Sequence, residues 1–173
     1  MERLWSPWRM EYMSQAGDAG GGCIFCDHLA EDDDETARIL HRTPDAFVIL
    51  NAFPYNTGHL MIAPLRHVGE LAELRRGERH ALMELTSEAV EIIRAAMDAQ
   101  GFNVGINLGS VGGAGIPGHL HVHVVPRWGG DTNFMPVIGQ TKVLPEMIAD
   151  TYARLKPGFV ALTAPGDGER EGL

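Results

Sequence analysis

His119-Leu120-His121-Val122-His123-Val124-Val125-Pro126 alternates imidazole with aliphatic side chains over most of its length. In a β-strand successive side chains take opposite faces, so the three imidazoles line one face and Leu120, Val122 and Val124 the other. Rings on one face repeat at roughly 6–7 Å. A row of that kind forms a catalytic edge or a metal cluster, and the aliphatic face anchors it in a sheet. His121, at the centre, is the candidate nucleophile, because a neutral imidazole nitrogen can attack phosphorus and split one difficult displacement into two. His123 shares the face and can bond a phosphate oxygen or the leaving group. His119 can orient the row or bind metal.

The run Asn107-Leu108-Gly109-Ser110-Val111-Gly112-Gly113-Ala114-Gly115-Ile116-Pro117-Gly118 comes just before. Its glycines permit a tight backbone whose N–H groups can converge on phosphate, with Asn107 or Ser110 adding side-chain donors. It contains no Gly-Lys-Ser or Gly-Lys-Thr and is therefore not a Walker A loop. Upstream, Ala46–Leu50 and His59–Ala63 read as an antiparallel pair joined by Asn51–Gly58 and stopped at Pro64. Leu71 and Leu74 suggest a helical turn. From Glu78 to Met97, Leu82, Leu85, Ala89, Ile92, Ile93 and Met97 recur at helical spacing, and Gly101 reads as the C′ residue. Phe102–Asn107 is a further strand. Val143–Leu155 reads as a last helix stopped near Pro157-Gly158. The expected class is α+β: an antiparallel sheet of about five strands, one long helix and shorter helices. Residues 1–22 form an aromatic segment with a glycine-rich joint, 23–158 the domain, and 159–173 a loose tail.

The 173 residues are 45% hydrophobic, enough for one core, and 14 Lys and Arg against 23 Asp and Glu give a net charge of −9. That acidity argues against a surface that grips extended nucleic acid, but not against a small nucleotide held by backbone donors. The longest apolar run falls far short of the roughly 20 residues needed to span a bilayer, so no membrane partner and a cytoplasmic location are expected. The two cysteines, Cys23 and Cys26, are too close together to staple a fold. Two thiolates with two histidines would make a tetrahedral zinc site. A redox pair and two idle thiols are the other readings.

His119-Leu120-His121-Val122-His123-Val124-Val125 resembles the histidine triad signature. The likeness extends from about Cys23 to Pro145, through Leu50-Asn51, Gly58-His59-Leu60-Met61-Ile62-Ala63-Pro64 and the Asn107–Gly118 loop. It implies nucleotide binding, a covalent nucleotidyl intermediate on His121, and a homodimer paired through helix and sheet. It further implies that Asn51 holds the ribose, that Leu50 and Phe53 wall the base, and that His59 supports the site. Phosphates would fall to Asn107 and the loop, including Gly109, Ser110, Gly115, Ile116, Pro117 and Gly118. A structural zinc would be bound by Cys23, Cys26, His67 and His119, with no organic cofactor. Ala114-Gly115-Ile116-Pro117-Gly118 departs from the glutamine and serine or threonine that many members carry there, so backbone donors must replace those side chains.

Three segments resemble the diadenosine tetraphosphate phosphorylase-like group of that family: Leu4-Trp5-Ser6-Pro7-Trp8-Arg9-Met10, His123–Phe134, and the stretch through Lys142-Val143-Leu144-Pro145. That likeness implies transfer of a nucleotidyl group to inorganic phosphate, yielding ADP and ATP, and places Trp128 near the pocket. Hydrolysis of dinucleoside polyphosphates or nucleoside phosphoramidates is the alternative enzyme reading. A regulatory module that binds nucleotide without turnover is the non-enzyme reading, and it leaves His121 without a purpose. A metal-cluster protein using all three triad histidines would need His121 on the metal.

Overall fold

Five strands form one sheet: β1 (Ile39–Arg42), β2 (Ala46–Leu50), β3 (Leu60–Pro64), β4 (Gly101–Ile106) and β5 (Val122–Arg127). Their order is β1-β2-β3-β5-β4, and every neighbouring pair is antiparallel. The structure is a computed structural model that describes residues 22–131 and 145–162. Its helices are α1 (Ile24–Ala30), α2 (Arg76–Met97) and α3 (Ile148–Ala161), with a 3₁₀ turn at Leu71–Glu73. This is the expected α+β arrangement. The N-terminal aromatic segment, residues 132–144 and the tail from 163 lie outside the described residues.

Period-two alternation divides the core in two. Ala46, Val48, Leu50, Leu60, Ile62, Val122 and Val124 face α2 and α3, meeting Leu82, Leu85, Ala89, Ile93, Leu155 and Phe159. Phe47, Ile49, Met61 and Ala63 face the other way, with Phe25 of α1 and Ala37. The triad obeys the same rule: Leu120, Val122 and Val124 join the helix-side core, and His123 pairs across β3 with Met61 and across β4 with Gly105. The histidines therefore stand on the sheet face that the long helix does not cover.

Three boundaries differ from those read in the sequence. The histidine strand begins at Val122 rather than His119. Opposite, β3 ends in Pro64, which has no N–H to extend the ladder, and its carbonyl accepts a hydrogen bond from the His119 ring at 2.8 Å. Helix α2 ends through Asp98, at φ 52°, rather than at Gly101, which opens β4. Asp98 takes up the left-handed turn, a conformation that Asp adopts more readily than most residues.

Helix α3 starts at Ile148 and runs through Pro157 and Gly158 to Ala161. Pro157 and Ala153, whose carbonyl the proline cannot bond, both lie on the exposed side, where water can take the carbonyl. Burial of Tyr152, Leu155 and Phe159 holds the helix together past that point. A Cβ on Gly158 would come within 2.6 Å of Ile92, so glycine permits the close crossing with α2. Phe159, assigned to the tail from the sequence, is fully buried.

Candidate active site and metal centre

Each triad histidine is fixed in one tautomer by a different partner. The Nδ1–H of His121 donates to the carbonyl of His119 at 2.8 Å. Its Nε2 is left with a lone pair, as a nucleophile requires. The Nε2–H of His119 donates to Pro64 O, which leaves its Nδ1 lone pair for another partner. His123 is set from a distance. The Tyr55 N–H donates to His59 Nδ1 at 3.0 Å, so that nitrogen accepts. His59 then carries its proton on Nε2 and donates to His123 Nδ1 at 3.0 Å. His123 in turn presents Nε2–H, a donor suited to a phosphate oxygen or a departing oxygen.

His119 is fully buried, His121 almost so and His123 half-buried. Burial pushes both His119 and His121 below the ordinary imidazole value, against the opposing pull of their carbonyl partners, and so favours the neutral ring. Phe25 supplies much of that burial, its ring centroid lying 5.1 Å from both His119 and His121. The His121 and His123 rings stand 4.8 Å apart. Gly105, across from His123, puts no side chain on the neighbouring floor.

The residue before α1 and its first turn bring Cys23 and Cys26 to the buried end of the row. Cys23 Sγ lies 3.3 Å from His119 Nδ1, Cys26 Sγ lies 3.7 Å from the same atom, and Cys26 Sγ lies 3.5 Å from His67 Nδ1. One ligand atom from each of Cys23, Cys26, His67 and His119 fits within a 4.8 Å span. The edges of a tetrahedral zinc site with sulfur and nitrogen ligands are about 3.3–3.8 Å, so these four side chains fit a metal ion. Burial and the neighbouring Cys23 push the Cys26 thiol up, and a bound cation would reverse that. His67 is held at the centre by backbone stitching: Leu120 N–H donates to Val68 O at 2.7 Å, and a Cβ on Gly69 would strike Pro117 O at 2.6 Å. Bidentate hydrogen bonding from Arg66 to the buried Glu78 ties the same segment to the start of α2.

The other expected site residues divide. Asn51 is buried; its Oδ1 accepts from Phe53 N–H at 2.9 Å and its Nδ2 donates to His59 Nδ1 at 3.2 Å, so it shapes the connection that carries Phe53. Phe53 itself is exposed. Leu50 packs in the helix-side core and also lines a small cavity with Asn51, Thr57 and His59. Trp128 likewise packs on the helix-side core, across the sheet from His123, and its indole N–H donates to the carbonyls of Met97 and Asp98. The structure thus puts Trp128 at the end of α2, not beside the histidines.

In the glycine-rich loop, Gly109 and Gly113 have positive φ, Asn107 Nδ2 donates to Gly113 O, and the N–H groups of Gly113 and Ala114 close internal turns. Ser110, Pro117 and Gly118 are exposed, while Gly115 and Ile116 are half-buried, Ile116 against the second core cluster. Phe25, Tyr55, Asn56 and Asp131 were not singled out in the sequence. Tyr55 lies over both His59 and His123, at ring-centroid distances of 4.7 and 5.9 Å. The spacing Asn51–His59 around a turn was the available signal for Tyr55; nothing local marked Asp131.

Among the described residues, no helix is long and apolar enough to cross a membrane. The family model called HIT domain matches residues 33–130. A protein named AP-4-A phosphorylase from Mycobacterium tuberculosis is 41% identical over 158 residues, spanning 87% of this chain and 80% of that protein. The asymmetrical bis(5'-nucleosyl)-tetraphosphatase of Schizosaccharomyces pombe is 30% identical over 91 residues, 53% of this chain and 50% of that protein. Among solved structures, a Zn-bound histidine triad family protein from Mycobacterium smegmatis superposes with a TM-score of 0.67 at 20% identity, covering 84% of this chain and 98% of that one. At that identity the last likeness speaks for the fold. With its three oriented histidines, its antiparallel sheet and a family match over more than half its length, the chain belongs to the HIT domain, or histidine triad, family.

Proposed function

We propose that the protein is a nucleotidyl transferase that cleaves diadenosine tetraphosphate with inorganic phosphate, giving ADP and ATP. The observation that carries the chemistry is the bond from His121 Nδ1–H to His119 O, which leaves Nε2 as the attacking atom. The His121 Nε2 lone pair bonds to the terminal nucleotide's α-phosphorus. The bond from that phosphorus to the bridging oxygen breaks, and ATP leaves with the electron pair, assisted by the His123 Nε2–H. An oxygen of inorganic phosphate then bonds to the same phosphorus, the P–N bond breaks, and ADP departs while His121 returns to its starting form. The His119 carbonyl stabilises the charged imidazole while the adduct exists.

Asn51, Phe53 and His59 serve the nucleoside side, and Asn107 with Gly109, Ser110, Gly115, Ile116, Pro117 and Gly118 the phosphates. Cys23, Cys26, His67 and His119 hold a structural zinc, which when bound cross-links three chain segments and leaves His121 free. The choice of phosphate as acceptor rests on the 41% identity with the mycobacterial phosphorylase. β4 is an edge strand with Val104 and Ile106 exposed, which favours a homodimer that covers it; sedimentation at micromolar concentration should give twice the chain mass, and a single-chain mass refutes the pairing.

The deciding assay incubates the protein with diadenosine tetraphosphate, with and without phosphate. ADP and ATP that form only when phosphate is present support the transferase. AMP and ATP released at the same rate in both conditions identify a hydrolase instead.

A further inference from the structure

We propose that Asp131 is a positioning residue for His123, acting through a latch to Asn56 that keeps the His59 ring in the tautomer His123 needs. The proposal rests on the His123 role given above and deepens it. The Asp131 carboxylate is only 10% exposed and gathers four donors from two segments. Arg127 Nε and Nη2 donate to it at 2.6 and 2.8 Å, Trp128 N–H at 3.2 Å and Asn56 Nδ2 at 2.9 Å. The Asn56 amide also donates to Pro126 O at 3.1 Å. One carboxylate therefore fastens the 51–58 connection to the end of β5, the strand that carries His123.

The fastening matters because of where the connection points its backbone. His59 N–H donates to Asn56 O at 3.1 Å and Asn51 N–H to His59 O at 3.0 Å, closing the turn. The closed turn aims Tyr55 N–H at His59 Nδ1 beside Asn51 Nδ2, and the two donors keep the proton of His59 on Nε2, against His123 Nδ1. Release Asn56, and Tyr55 N–H can swing away. With the longer Asn51 Nδ2 contact at 3.2 Å still directed at Nδ1, His59 populates the Nδ1–H tautomer in part, and in that fraction His123 must donate from its own Nδ1. Its Nε2 would present a lone pair to a phosphate oxygen, a repulsive contact where a donor is needed. Asp131 touches neither substrate nor the reacting atoms in this account; it selects which nitrogen of His123 bears the hydrogen.

Two variants open the latch from opposite sides: Asp131→Ala removes the acceptor, and Asn56→Ala removes the donor while leaving the Arg127–Asp131 pair. The first readout is the ¹⁵N resonances of the His123 ring in substrate-free protein, which distinguish protonated from unprotonated nitrogens. Both variants should move His123 from a single Nε2–H tautomer toward a mixture. Both should lower kcat for diadenosine tetraphosphate by about ten- to a hundredfold, with KM within about threefold, because a transition-state donor is lost rather than a binding contact. Asp131→Asn keeps an oxygen acceptor for Asn56 and should restore the tautomer. Folded variants with unchanged His123 resonances, or a change in KM alone, would overturn the latch. If the wild-type protein turns over no dinucleotide, the activity reading fails by itself, and the resonances still decide the latch.

Discussion

Glu78→Gln isolates a buried charge that does two jobs at once. Its carboxylate takes both a bidentate pair from Arg66, at 2.7 and 2.8 Å, and the backbone N–H of Arg75 at 2.6 Å. It thus caps α2 and anchors the segment that delivers His67. The hydrogen bonds from Arg66 lead the causes that hold this carboxyl at about 2, against 4.5 for an ordinary glutamate. An unscreened difference of that size corresponds to about 3 kcal/mol of stability. The Glu78 side chain is buried but Arg66 is 38% exposed, so water screens part of it, and about 2 kcal/mol is the expected loss at pH 7. The folded-state value lies below the unfolded one. The contribution is therefore complete above pH 4.5 and is lost as pH falls through 2. Urea unfolding of both proteins at pH 7 should separate their midpoints, and by pH 3 the free-energy gap should shrink to less than half. Any acid-driven loss of metal affects both proteins alike and leaves the gap as the measure of Glu78. Equal midpoints at pH 7, or a gap of the same size at both pH values, would refute the assignment.

His121→Ala should abolish turnover and any acid-labile nucleotidyl adduct while circular dichroism stays native; activity equal to wild type ends the covalent mechanism. Cys26→Ser should lower both zinc content, measured by elemental analysis, and melting temperature, because a bound metal adds folding free energy; about one zinc per chain is expected before substitution, and none across repeated chelator-free preparations removes the metal. Gly158→Ala should destabilise by about 1–3 kcal/mol through the 2.6 Å approach to Ile92, and a neutral effect in thermal unfolding would show that the α2–α3 crossing yields easily.

What the sequence made legible follows from local periodicity. The β2–β3 hairpin was readable to within a residue because its strands are short unbroken apolar runs around a turn rich in Asn, Pro and Gly, and its stop is a proline. Helix α2 was readable because its apolar stripe repeats over five turns. The triad's two faces were readable for the same reason. Apart from the Asp98 end of α2, the misread features depend on contacts distant in sequence. Pro157 looks like a helix terminator until Phe159 is known to reach the core, and the start of β5 depends on Pro64, more than fifty residues away. Trp128 looked like a pocket residue by resemblance, yet its indole is spent on the carbonyls closing α2. Asp131 lies in the His123–Phe134 stretch that carries the resemblance, but its bond to an asparagine of another loop leaves no trace in the sequence.

The carbonyl that orients the nucleophile belongs to the residue whose ring faces the two thiols. His119 to His121 also lie ahead of the β5 ladder, their backbone tied to Val68 rather than to a neighbouring strand. That segment, α1 and the stretch around His67 meet at the four candidate ligands, so a metal held there would join all three. Such a metal would brace, from one residue pair away, the carbonyl that orients the nucleophile without touching the nucleophile itself.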